Sequence, residues 1–127
     1  MKTGESRKYD LEERLISFAL QVLEVSEMLS KTYAANHISG QIVRSGTSPA
    51  LNYGEAQAAE SIKDFIHEMG IILKELRETS ISLKIIIRRP LVSDIVTAQK
   101  CLSECQELIA IFASSIKTAK NKNIKNA

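Results

Sequence analysis

The sequence predicts an all-α protein built as an antiparallel up-down four-helix bundle. Apolar residues make up 44% of the 127-residue chain but aromatics only 5%, so the oily content is Ile, Leu, Val and Ala, which suits helix-on-helix packing. Two prolines and five glycines are too few for the regular turns of a sandwich or barrel. Three long segments also repeat their apolar residues at alternating steps of three and four. A chain of this length forms one domain, residues 1–127, with room for a real core.

The first helix is expected over about 10–32. Asp10 serves as an N-cap candidate ahead of Glu12 and Glu13, whose charges favour the positive end of the helix dipole. Leu11, Leu15, Phe18, Val22, Val25 and Leu29 form its inward stripe, broadened by Ile16, Ala19 and Leu23. The third helix, 61–88, carries Ile62, Phe65, Met69, Leu73 (or Ile72), Leu76, Ser80, Leu83 and Ile87 on one side. Arg88-Arg89-Pro90 ends it: cations suit a helix C-terminus, and Pro90 disfavours helical geometry at Arg89. The fourth helix, 92–119, begins near Ser93 or Asp94. Its stripe is Ile95, Ala98, Leu102, Cys105, Ile109, Phe112 and Ile116, and a flexible basic tail follows over 120–127. Each stripe needs the others to be buried, and short connections make antiparallel neighbours the economical topology.

Residues 34–59 are the difficult element. "IVRSGTSPALNYGEAQAAE" concentrates glycines, hydroxyls and Pro49, and local propensity reads it as a loop. Yet Ile38, Ile42, Ser45, Pro49, Asn52, Ala56 and Ala59 continue at helical spacing. A structureless stretch of more than 20 residues does not suit so compact a domain. The segment is therefore expected as a second helix with a small, polar inward face and a kink near Pro49, which cannot donate to the Ser45 carbonyl.

These residues carry a resemblance. "IVRSGTSPALNYGEAQAAESIKDFIHEMGIILKELRET" resembles the central signature of the 23S rRNA intervening-sequence protein family, also called the four-helix-bundle protein family. The likeness runs through Arg44-Ser45, Thr47-Ser48-Pro49, Asn52, Glu55, Ser61, Asp64-Phe65, Glu75 and Glu78. The departures are Leu51, where the family usually has Ala, and Ala56, where Gly is common. The resemblance implies the bundle fold with the kinked second helix, and a homo-oligomer, a pentameric ring. It gives no biochemical activity. Similar bundles serve as nucleic-acid-binding accessory proteins of diversity-generating retroelements, so the resemblance also admits RNA or DNA as a partner.

The residues themselves exclude several chemistries. "RSGTSPALNYG" lacks the spacing and the preceding strand of a phosphate-binding loop. Asp64-x-x-His67 is a lone half of the paired motifs that build di-metal sites in bundles, and His37 has no acid three residues ahead. Cys101 and Cys105 have no His beside them and read as small buried thiols rather than metal ligands or a disulfide framework. Ser45, Ser48, His67, Glu55 and Asp64 assemble no specific triad. The expectation is a protein without catalytic, cofactor or metal residues. No apolar run is long enough to span a membrane and "MKTGESRKYDLEE" has no signal-peptide core, so a cytoplasmic protein with no membrane partner is expected.

Two groups of residues remain. Arg44, Ser45, Ser48, Asn52 and Glu55 are expected to form a polar network that fixes helix register or a subunit interface, with a buried acid paired to Arg44, Arg77 or a neighbouring subunit. Lys63, Lys74, Arg77, Lys84, Arg88 and Arg89, with Lys117 and Lys120, are the candidates for nucleic-acid contact. The net charge of +2 is unevenly placed: residues 1–9 carry +2, 10–116 carry −4 and 117–127 carry +4. Acids outnumber bases in the body, and no aromatic residues interleave with the basic ones. On that balance the leading expectation is a non-enzymatic oligomeric scaffold or adaptor, with RNA or DNA binding through repeated basic patches as the alternative.

Overall fold

The computed structural model describes residues 4–125, with side chains from Leu11 to Lys125. It contains four helices: α1 (Gly4–Glu27), α2 (Tyr33–Gln57), α3 (Ile62–Arg88) and α4 (Ile95–Lys125). Each packs on the next and α1 returns onto α4, which is the four-helix-bundle arrangement expected from the periodicity. At one end the two loops are tied together. Leu29 and Val92 form an isolated antiparallel bridge, and the amide and hydroxyl of Ser30 both donate to the Leu91 carbonyl, at 2.9 and 3.1 Å.

The helix ends differ from the expected ones at both ends of α1 and at the end of α4. α1 begins six residues before Asp10, so Asp10 is interior rather than a cap, and α1 stops at Glu27 instead of near Thr32. α4 remains helical through Lys125, so residues 120–125 are helix and not a flexible tail. Nothing in "KTAKNKNIK" breaks a helix, and lysines near a C-terminus favour its negative end. Positions 126 and 127 lie outside the described residues.

Local chemistry sets the other starts. Thr32 accepts the Ala35 amide at 3.2 Å, and Ser61 accepts that of Asp64 at 3.0 Å. Asp94 caps α4 by accepting from the Val96 and Thr97 amides, while the Thr97 hydroxyl donates to its other oxygen at 2.7 Å. Those bonds, led by the Thr97 hydroxyl, hold the Asp94 carboxyl below its usual range.

The core follows the stripes. Leu15, Phe18, Val22 and Val25 of α1, Met69, Leu76 and Leu83 of α3, and Cys105 and Phe112 of α4 are all buried. On α3 the buried residue of the Leu73 and Ile72 pair is Ile72, and Ile86 is fully buried where Ile87, only partly covered, was expected. Ile16 and Leu23, expected to broaden the α1 stripe, are instead 41% and 36% exposed. Tyr53 meets Phe112 edge-to-face, with ring centroids 6.0 Å apart. Where α1 meets α4, Arg14 grips Glu104 through two bonds of 2.7 and 3.1 Å and lies 3.5 Å from Glu107. The bond to Glu104 is the main reason its guanidinium pKa is raised.

α2 runs unbroken through Pro49. The Thr47 hydroxyl donates to the Val43 carbonyl at 2.6 Å and that of Ser48 to the Arg44 carbonyl at 2.7 Å, so both hydroxyls are satisfied within their own helix. Its buried face mixes small residues with Ile42 and Tyr53, and near its middle α2 comes close to α1. A Cβ placed on Gly46 would lie 2.6 and 2.7 Å from the two methyls of Val22 and 3.0 Å from its Cβ, so only glycine fits this approach to α1.

Towards α3 the contact is polar. Asn52 donates to the Glu75 carboxylate at 2.8 Å, and Arg44 lies 3.2 Å from Glu78 and 3.7 Å from Glu75. Thr79 Oγ1 is 2.8 Å from Ser45 Oγ and 2.8 Å from the Glu75 carbonyl, and both hydroxyl residues are buried. One Thr79 proton serves one of these partners, and Ser45 can supply the proton for the hydroxyl pair.

Three outcomes are expected. Gly46→Ala loses about 1–3 kcal/mol of stability to overpacking, although alanine is the better helix former. Gly40→Ala and Gly54→Ala, where nothing lies within 4 Å of the added carbon, gain up to about 1 kcal/mol each. Urea unfolding of the three variants compares them directly; a neutral Gly46→Ala would contradict the close approach. Second, Thr79→Val costs about 1–3 kcal/mol by stranding the buried Ser45 hydroxyl, whereas Ser45→Ala with Thr79→Val restores most of it. Additive losses in that double-mutant cycle would show that the two hydroxyls do not act together. Third, burial pushes the Cys101 and Cys105 thiols up to about 12. The folded state then holds thiol protons that the unfolded chain releases near pH 9, so this part of the stability is complete below pH 9 and declines as pH rises toward 12. A thiol reagent at neutral pH should label both cysteines only after unfolding, and fast labelling of the folded protein would refute the burial.

Candidate functional site

Of the five residues expected in a polar network, Arg44, Ser45 and Asn52 lie in the α2–α3 seam. Ser48 bonds within its own helix. Glu55 is exposed and makes no hydrogen bond or ion pair among the described residues, so the buried acid is not Glu55. That place belongs to Glu75, whose side chain is 12% exposed, with Glu78 and Thr79 as further members. These α3 residues were legible as part of the family signature but not as partners, because helical spacing within one segment says nothing about the segment facing it. Arg77, an expected partner for the acid, points to solvent.

The basic candidates sort into a pattern. At 3.6 residues per turn, Lys63, Lys74, Arg77, Lys84 and Arg88 fall within about a quarter of the α3 circumference. The opposite side of α3 holds the buried Met69, Ile72, Leu76 and Leu83, so this quarter faces outward. At 1.5 Å per residue the stripe runs about 37 Å. None of its cations has an acid within ion-pair distance among the described residues; the ion pairs found there are those of Arg14 and Arg44. Glu75 and Glu78, the acids in the middle of α3, turn to the seam.

Arg89 is not on the stripe but is the C-cap residue of α3. Lys117 and Lys120 are exposed on the last turns of α4, at the end of the bundle where α3 begins. Arg88 and Arg89 thus stand at one end of the molecule and Lys117 and Lys120 at the other.

A chain of grooves runs along the outer face of α3, two of them shared with α2. One of about 280 Å³ is lined by Gln41, Arg44, Glu78, Ile81 and Ile85, and a second of about 330 Å³ by Ile81, Lys84, Ile85, Arg88 and Arg89. A third, of about 540 Å³, lies between Tyr33, His37 and Ile38 on one side and Ile85, Arg89 and Leu91 on the other. Ile81 and Ile85, 56% and 43% exposed, connect them.

A wider groove of about 660 Å³ lies between the start of α3 and the end of α4, floored by Ile62, Phe65 and Ile111 and edged by Ser114, Thr118 and Lys122. Among the described residues no three His, Cys, Asp or Glu side chains converge on a common point. His37 and His67 are both exposed. No helix among the described residues is long and apolar enough to cross a membrane.

The family model for the 23S rRNA-intervening sequence protein matches residues 7–114. Among solved structures, the chain is similar to a Bacteroides thetaiotaomicron protein of unknown function from the S23 ribosomal protein family. The two share 30% identity with a TM-score of 0.76, over 84% of this chain and 98% of that one. No curated protein matches. The match spans all of α2 and α3 and most of α1 and α4, the helices that build the seam and the stripe, and on it the chain belongs to the 23S rRNA-intervening sequence protein family.

Proposed function

We propose that this protein is a non-catalytic, oligomeric bundle that binds nucleic acid, laying the outer face of α3 along the phosphate backbone. The observation that carries the reading is the acid-free stripe of Lys63, Lys74, Arg77, Lys84 and Arg88. A stripe of about 37 Å is long enough to meet several successive phosphates. Its cations are held in place by helix geometry, so they contribute charge without the cost of ordering a loop. No side chain of the stripe is set to read base edges, and binding without strong sequence preference follows.

The scaffold reading has its own support on α1. Ile16, Leu20 and Leu23 recur on one face of that helix and are 41%, 61% and 36% exposed. An apolar strip of this kind is suited to a protein partner, and a second copy of the chain is the simplest one. In a ring, each copy would repeat the stripe, and the number of phosphates neutralised would grow with the number of subunits. Oligomerisation would thus strengthen nucleic-acid binding, although each can hold without the other.

Mobility shift with mixed RNA and DNA at about 50 and about 200 mM salt tests it. Binding is expected to weaken steeply between the two. Replacing Lys74, Arg77 and Arg88 by Gln should weaken it on every sequence and flatten the salt slope by roughly one per lost phosphate contact. Light scattering in the same buffer should give a mass several times that of the chain. Absence of binding at the lower salt would leave the scaffold reading standing alone.

A further inference from the structure

Resting on the nucleic-acid reading above, the geometry points to a preference for single strands, with an unpaired base stacked on Tyr33 and His37 in the groove between the start of α2 and the end of α3. Tyr33 is 90% exposed, the most exposed large apolar residue among those described, and no contact within the bundle accounts for it. It stands four residues before His37, so the two rings share one face of α2. Across the groove stands Arg89, and Ile38, Ile85 and Leu91 supply its apolar walls.

No acid lines this groove, and Arg89 also lines the adjoining one with Lys84 and Arg88. The groove is therefore continuous with the end of the basic stripe. Its volume of about 540 Å³ is within the range of sites that hold small planar ligands.

This combination selects among nucleic acids. Phosphates on the stripe are available from a duplex and a single strand alike. A free base face is available only where the base is neither paired nor stacked on its neighbours. Aromatic stacking with a nearby guanidinium then adds affinity for single strands alone, and it is indifferent to sequence because every base has a π-face. It makes no demand on the sugar, so oligo(dT) and oligo(U) of equal length should bind within a few-fold of each other.

Fluorescence anisotropy with labelled oligo(dT), oligo(U) and a duplex of the same length, on the full chain, provides the test. Wild type should bind both single strands more tightly than the duplex. Tyr33→Ala should weaken single-strand binding on the order of tenfold, leave duplex binding unchanged and leave the oligomeric mass unchanged. Tyr33→Phe keeps the ring and should restore single-strand affinity, and Arg89→Gln should weaken single strands more than the duplex.

If single strands and duplex bind alike and Tyr33→Ala alters neither, the stacking site is wrong while the stripe stands. If nothing binds at low salt, both fall. A change of mass in Tyr33→Ala would make this face a subunit contact and would overturn the stacking site. Tyr33 is a surface residue, so loss of folding does not stand between the variant and its reading.

Discussion

The fold depends on how closely α2 approaches its two neighbours. At Gly46 the backbone of α2 comes near enough to α1 that the methyls of Val22 occupy the place of a side chain. Val22 is fully buried and branched at its Cβ, so it has little freedom to withdraw. A larger residue at position 46 could not take this place. Gly46 follows from that requirement rather than from any chemistry, and it sits among the small buried residues Ser45 and Pro49, with the larger Ile42 and Tyr53 to either side. What looks from the sequence like a site-bearing loop is the surface of a tightly inserted helix.

Towards α3, beside the small residues Ser45 and Gly46, hydroxyl, amide and guanidinium groups make the cross-helix bonds. Each has a defined partner, so sliding α2 by one residue would strand Asn52 and the Ser45–Thr79 pair together. The hydroxyl pair is buried and the carboxylate of Glu75 nearly so, which makes a wrong register costly. The ion pairs of the seam add little stability, since Arg44 is 58% exposed and surface pairs of that kind contribute little.

The bundle, the order of its helices and most of its core were legible in the sequence, because a period of three and four residues reports directly which face of a helix is covered. Leu15, Phe18, Val22 and Val25 all lie where that period places them. Helix ends were less legible. α4 continues through its lysines because nothing there breaks it, and charge alone does not mark where a helix stops. The polar seam was half visible: Arg44, Ser45 and Asn52 could be named as unusual, but their partners lie 23 to 34 residues away on another helix. Glu55 shares a segment with Asn52 and still faces solvent, since spacing places two residues near one another without saying what covers them.

Charge was the feature on which the one-dimensional reading was weakest. A body with fourteen acids and ten bases suggests a surface of mixed sign. On α3 the fold sets the two signs on different sides. Glu75 and Glu78 are engaged by Asn52 and Arg44, Glu104 and Glu107 by Arg14, and the outward quarter of α3 is left with cations. The same holds for the aromatic residues. Tyr33 and Arg89 are far apart in the chain and do not interleave, yet the junction of α2 and α3 sets them across one groove. A net charge counts groups without regard to where they stand, whereas a polyanion laid along α3 meets chiefly the charges of that face. By that measure the surface offered by α3 is more basic than the composition of the chain, and the nucleic-acid reading gains its weight from this sorting.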